Sequence, residues 1–257
     1  MKTGSINLLL FLLTFFSGYA VTGLTPQVEL WNNDISGNIV GSGGLGRGVI
    51  EKKGDNAPGF GMNLHVLGFS SKLSYQPIDY RTSLRVQSNF TFDGQTYLNN
   101  DSLNFQMDWN TWDWSYRFVN TGAMGSNFNF IVGLQWIDAA VSIEGIRGAG
   151  AAPTSRFDET LPLPYIGFET DIALQDAWRL VGAFKILELS LAGNELSFQD
   201  AELGIRYLLD GESDQMGSIF LGYRKRNFDV TVNEGDLNEA HVDFELDGLV
   251  GAFRFHW

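Results

Sequence analysis

The feature that most constrains this chain is an alternation of apolar and polar residues with a period of two, sustained over most of its length. At the C-terminus Leu249, Gly251, Phe253, Phe255 and Trp257 alternate with Val250, Ala252, Arg254 and His256. The preceding segment sets Ile219, Leu221 and Tyr223 against Gly222, Arg224 and Arg226, and the one before it sets Leu203, Ile205 and Tyr207 against Glu202, Gly204 and Arg206. A helix repeats every 3.6 residues and a strand every two, so this pattern predicts sheet with one apolar and one polar face.

The same alternation sets Trp178, Leu180, Gly182, Phe184 and Ile186 against Arg179, Val181, Ala183 and Lys185, and toward the N-terminus it predicts strands at about 162–174, 127–145, 101–120, 73–90, 58–69 and 27–39, making about ten in all. Their connections alternate in length. Short links are expected at about 70–72, 121–126, 175–177 and 210–216, and longer, more polar ones at about 40–57, 91–100, 147–161 and 233–239, with only 192–195 breaking the trend. Short turns at one end and long loops at the other describe an all-β antiparallel meander without an internal domain boundary.

Composition removes several functional classes. The chain of 257 residues carries 17 Lys+Arg against 30 Asp+Glu, a formal charge of -13, which repels phosphate backbones and argues against a nucleic-acid partner. With 0 Cys there are no disulfides, thiolate metal ligands or cysteine nucleophiles. Residues 1–20 read as a signal peptide: Lys2 supplies the positive start, Leu8 to Phe16 the apolar core, and Gly18-Tyr19-Ala20 the small-residue cleavage site. Cleavage is expected after Ala20, leaving 21–257 as one barrel domain.

A closed sheet with one apolar face is either a soluble barrel, apolar inside, or a membrane barrel, apolar outside. An export signal, strands of about ten residues or more, and aromatic residues near the strand ends (Trp178, Phe118, Tyr116, Phe128 and Tyr75 toward the short turns, Trp112, Trp136 and Tyr80 toward the long loops) favour the second. On these residues, and on the final Leu249-Gly251-Phe253-Phe255-Trp257 stripe, the chain resembles bacterial outer-membrane β-barrels of the small single-chain type, the OmpW and OmpA-transmembrane-domain class. The resemblance implies an antiparallel up-and-down transmembrane barrel of about ten strands, with eight as the alternative. It also implies an outer-membrane location with both termini in the periplasm, and outer-membrane lipids, lipopolysaccharide and the barrel assembly machinery as partners. The assembly signal would be Phe253, Phe255 and Trp257.

If the apolar face meets lipid, the other face fills the lumen. That parity gives a charge network of Arg81, Arg85, Asp113, Arg117, Glu169, Asp171, Lys185, Glu202, Arg206, Arg224 and Arg254, with His65, Asp79, Arg179, Arg226 and His256 of the same parity. In so narrow a barrel these groups are expected to pair as a polar core. The acidic excess then belongs to loops and turns, notably 210–214 and 234–245.

No catalytic, cofactor or metal motif stands out. His241 near Asp236, Glu239 and Asp243 reads as a solvated rim histidine, and the glycine run 41–48 with Arg47 lacks the strand-to-helix context of a phosphate loop. The expected function is therefore non-enzymatic: a structural barrel or narrow channel for small solutes. The alternatives are a binding or adhesion barrel using acidic loops and a lipid- or peptide-directed hydrolase.

Overall fold

The computed structural model describes residues 21–40, 47–66, 69–86, 89–92, 95–99, 101–121, 126–146, 153–191, 194–210, 216–232 and 240–255. The predicted signal peptide, His256 and Trp257 lie outside them. The strands are β1 (Val21–Val40), β2 (Arg47–Val66), β3 (Phe69–Arg85), β4 (Phe90–Phe92), β5 (Gln95–Tyr97), β6 (Ser102–Thr121), β7 (Asn127–Ile146), β8 (Thr154–Gln175), β9 (Trp178–Leu191), β10 (Asn194–Leu208), β11 (Ser218–Val232) and β12 (Ala240–Arg254). Ten of them close into an antiparallel barrel in the order β1-β12-β11-β10-β9-β8-β7-β6-β3-β2, and β4 pairs with β5 as a separate hairpin. β1 and β12 close the ring, with Gln27 opposite Arg254. The end where β1 begins and β12 finishes is called here the terminal end, and the opposite one the loop end.

The walls are taller than alternation alone indicates. β2 starts at Arg47 and β8 at Thr154, inside segments expected to be links, and β3 starts at Phe69, absorbing the expected turn at 70–72. The reason is that the apolar face changes sides part-way up each wall while the strand itself continues.

β1 shows this change directly. Toward the terminal end Val28 and Leu30 face out, 53% and 51% exposed, and Gln27 is buried in the lumen. Toward the loop end Trp31 and Ile35 are buried inside, while Asn32 and Ser36 face out. β6 repeats the change: Trp114 is exposed with Asp113 and Ser115 buried, and farther up Trp109, Met107, Phe105 and Leu103 are buried with Asn104 outside. β12 does the same, Leu249 lying outside and Leu246 and Phe244 inside. Burying apolar surface away from water puts side chains inward wherever water is outside, and outward wherever hydrocarbon is outside. The two halves of one barrel therefore obey opposite rules.

Aromatic rings mark the boundaries of the outward apolar band. Phe60, Tyr75 and Trp112 cluster at its upper edge, with centroids 5.3, 5.8 and 4.7 Å apart, and Tyr116 with Phe118, Trp178 with Tyr207, and Phe253 with Phe255 lie toward the terminal end. Two aromatic rings flanking an apolar band are the exterior of a membrane barrel.

The wall is not continuously paired above that band. β2 and β3 pair only from Phe60↔Tyr75 to Val66↔Phe69, and β8 and β9 only from Ile166↔Ile186 to Gln175↔Trp178. Beyond those points the loop half consists of two facing sheets, β9-β10-β11-β12-β1-β2 and β3-β6-β7-β8, separated by two seams and packed over a shared apolar core.

Candidate functional site

The lumen of the terminal half is built from strand positions whose opposite-parity neighbours face the apolar band. Asp113 on β6 accepts hydrogen bonds from Lys185 Nζ at 2.5 Å, Tyr165 Oη at 2.7 Å and Gln135 Nε2 at 2.7 Å. Tyr165 reaches it by lying flat over Gly133 on β7, where a Cβ would collide with the phenol ring. Asp200 on β10 accepts from Arg224 at 2.5 and 2.8 Å and from Arg226 at 3.0 Å. Arg224 also reaches Glu29 on β1, two strands away, at 3.1 Å. Nearer the terminal end, Glu169 pairs with Arg117 at 2.6 Å and Asp171 with Arg206 at 2.6 Å. Arg117 makes further bonds to Ser70 and Asn63 at 3.0 and 3.2 Å. Multiple donors on Asp113 and Asp200 offset the desolvation that an isolated buried ion pair would not recover.

The sequence-derived network falls into place unevenly. Asp113, Arg117, Glu169, Asp171, Lys185, Arg206 and Arg224 sit in the lumen and form ion pairs there. Arg254 is luminal but binds the uncharged Gln27 through Nε at 2.8 Å. Glu202 and Lys72 line one cavity, and among the described residues neither forms an ion pair or hydrogen bond. Arg81 is a correction: its side chain is 69% exposed on the outer wall, paired with Asp79 at 3.4 Å. It lies above the switch in polarity, where the apolar partners Ile78 and Tyr80 are inside and the charges outside. Arg85 closes β3, and its side chain lies outside the described residues. His65 is the penultimate residue of β2, at the terminal end rather than mid-strand.

Sequence reasoning missed Glu29, Lys72 and Asp200. Asp200 shares the parity of Glu202 and Arg206 and was legible; Lys72 was hidden by assigning 70–72 to a turn. The acidic excess is also relocated. Much of it stands on the outer wall of the loop half, as with Asp34, Glu51, Asp79, Asp138, Asp158 and Glu188.

Free space in the lumen is small. The cavity bounded by Gln27, Glu29, Lys72, Gln76, Glu202 and Arg224, among others, holds about 40 Å³, room for a few waters at most by the ~10–15 Å³ each requires. Above it the lumen is filled by Trp31, Tyr80, Phe105, Trp109, Phe198 and Phe244, all nearly inaccessible. Trp109 meets Phe228 edge-on at 4.8 Å. The two tiers join at Arg226, whose guanidinium carbon lies 5.5 Å from the Trp31 ring and 5.9 Å from the Phe198 ring. From the β4–β5 hairpin, Tyr97 is fully buried and donates to Ser155 Oγ at 2.7 Å.

His241 faces outward on β12. Its Nδ1 is 3.0 Å from Thr231 Oγ1 and 3.6 Å from Asp229, and its Nε2 is 3.7 Å from Asp243, which also accepts from Asn38 at 3.0 Å. Asp236 and Glu239 lie outside the described residues.

No family model matches the sequence, and no curated protein does. Solved structures do match. The crystal structure of outer membrane protease OmpT from Escherichia coli superposes with a TM-score of 0.61 at 9% identity, over 93% of this chain and 98% of that one. The Pseudomonas putida toluene transporter TodX gives 0.40 at 7% identity over 92% and 90%, and the outer membrane protein AlkL gives 0.35 at 10% identity over 94% and 93%. The fold is that of the outer-membrane β-barrels: a closed, all-antiparallel barrel of ten strands.

Proposed function

We propose that this chain is an integral outer-membrane barrel with a sealed lumen, its terminal end in the periplasm and its loop half projecting outside the cell. The carrying observation is the vertical switch in polarity. An exterior that is apolar over the terminal half and polar over the loop half matches a slab of hydrocarbon crossed by the first and water around the second. The interior reads the same way, with a salt-bridged core below and a packed apolar core above.

In this reading the barrel is a structural, surface-presenting protein, not an open pore. A cavity of about 40 Å³ under a roof of aromatic side chains passes no solute unless the roof moves. Surface binding by the acidic loop half is the second reading, favoured by the carboxylates on its outer wall. Hydrolysis is the third; protease activity belongs to OmpT, and on this chain His241 stands on the outer wall, away from both the luminal cavity and the aromatic core. The resemblance-based partners, lipids, lipopolysaccharide and the assembly machinery, follow from the location.

Reconstitution into planar bilayers tests the reading together with surface labelling of intact cells. A tag at Gly150 should be labelled and a tag at Gly122 protected. The reverse labelling pattern would invert the orientation.

A further inference from the structure

The seam between β2 and β3 has a specific chemical cause. Along their ladder Gly59 and Gly61 occupy closely approaching pairs, Gly59 meeting the Tyr75 carbonyl, so the hydrogen-bonded pairs are those of Phe60 with Tyr75, Met62 with Leu73 and Leu64 with Ser71. Continuing upward, the next hydrogen-bonded pair would be Pro58 with Pro77. Neither has an N–H, so both bonds of that pair are impossible. The second seam follows the same rule: above Ile166↔Ile186, the next β8 positions facing β9 are Pro164 and Pro162. Four of the 6 prolines in the chain therefore stand where the barrel divides.

Above Pro77, residues Asp79, Arg81 and Ser83 share its parity and turn their backbone N–H and C=O groups toward the seam, an edge of three residues that no β2 strand position pairs among the described residues. The β2 edge is different. Pro58 has no donor and the Asn56 N–H is taken by Asp55 Oδ1 at 3.0 Å, leaving carbonyls. On the inner side of the seam lie the apolar Ala57, Ile78 and Tyr80, with Asp55 on the same parity, and on the outer side Asp79, paired with Arg81, with the carboxylates Asp34 and Glu51 beside them.

We propose that this seam receives one extended peptide strand of alternating apolar and basic residues, supplied by a partner chain, which pairs with the β3 edge. Its backbone would complete the hydrogen bonds of Asp79, Arg81 and Ser83, its apolar side chains would join the upper core, and its basic side chains would meet the outer carboxylates. The periodicity of a strand makes these three requirements a single one, because inward and outward positions alternate. The proposal rests on the loop half standing in water, and it is independent of whether the lumen conducts.

The test uses the full-length barrel refolded in detergent and the fluorescent probe peptide (Val-Lys)4, measured by anisotropy against (Val-Glu)4 and against (Val-Lys)4 with alternate valines N-methylated. The lysine peptide should bind at least tenfold more tightly than both. In the variant Pro58→Cys/Pro77→Cys, otherwise free of cysteine, oxidation should lock the seam and abolish binding, and reduction should restore it. Equal binding of the N-methylated peptide to the wild-type protein would show adhesion to the acidic wall alone and overturn the proposal, whether or not the double variant folds. Equal binding of the glutamate peptide, or undiminished binding to the oxidised double variant, would overturn it as well.

Discussion

Arg226 lies over the Trp31 ring, 5.5 Å from its centroid, and this contact joins the salt-bridged floor of the lumen to its apolar roof. One face of the guanidinium meets an aromatic ring while one nitrogen binds Asp200 at 3.0 Å. Both side chains are almost wholly buried, Arg226 at 2% and Trp31 at 0% exposure. Replacing Trp31 with Ala removes the cover of Arg226 and a large part of the roof, and the expected loss is roughly 3–5 kcal/mol. Chemical denaturation of the refolded barrel measures this, and the variant should also show intermittent conductance that the wild type lacks.

Asp200 is the counter-charge for both Arg224 and Arg226, while Glu202, one position farther down the same face, has no ion pair among the described residues. Asp200→Ala should cost roughly 3–5 kcal/mol by removing the ion-pair partner that Arg226 has among the described residues and leaving Arg224 only Glu29. Glu202→Gln should cost about 1 kcal/mol or less. Urea titration of the two variants side by side checks the contrast, and equal losses would mean that Glu202 pairs in the folded protein.

Tyr80 projects into the upper core, above the apolar band, with its hydroxyl 3.4 Å from the Asn33 carbonyl. Burial holds its hydroxyl well above the usual tyrosine range, and the carboxylates of Asp55, Asp34 and Asp247 add to the effect. The folded state therefore keeps a proton that the unfolded state releases near pH 10, so this contribution is complete below about pH 10 and is lost as pH rises above it. Tyr80→Phe should lessen the alkaline loss of stability, read as the unfolding midpoint at about pH 8 and pH 11.

Phe253 and Phe255 pack together at 4.2 Å at the terminal end, Phe253 opposite both Val28 and Ile219. If they and Trp257 mark the last strand for insertion, deleting 255–257 should lower the amount of heat-modifiable barrel in outer membranes. Unchanged folding of the truncated protein in cells would refute that role.

The strand count, the antiparallel order and the parity of the lower lumen were legible because alternation is strongest where one face meets hydrocarbon, as from Leu203 to Leu209. The upper half was misread for a physical reason. From Asp79 to Arg85 the strand keeps its period but exchanges its faces, so a rule tying apolar residues to the outside sent Arg81 into the lumen and buried Tyr80 in an imagined girdle. Where the outward residues are polar or glycine, as with Glu51, Gly54 and Asn56, the same inversion imitates a loop. The signal that could have exposed it was available in Pro58, Pro77, Pro162 and Pro164, which are tolerated in strands only where no ladder bond is needed.

The central claim is that the barrel is sealed by its upper core, and ion conductance of the wild-type protein in planar bilayers tests it most directly. A silent baseline across successive insertions, with channel events appearing on Trp31→Ala, is the predicted result. A stable ohmic conductance from the wild-type barrel would contradict it.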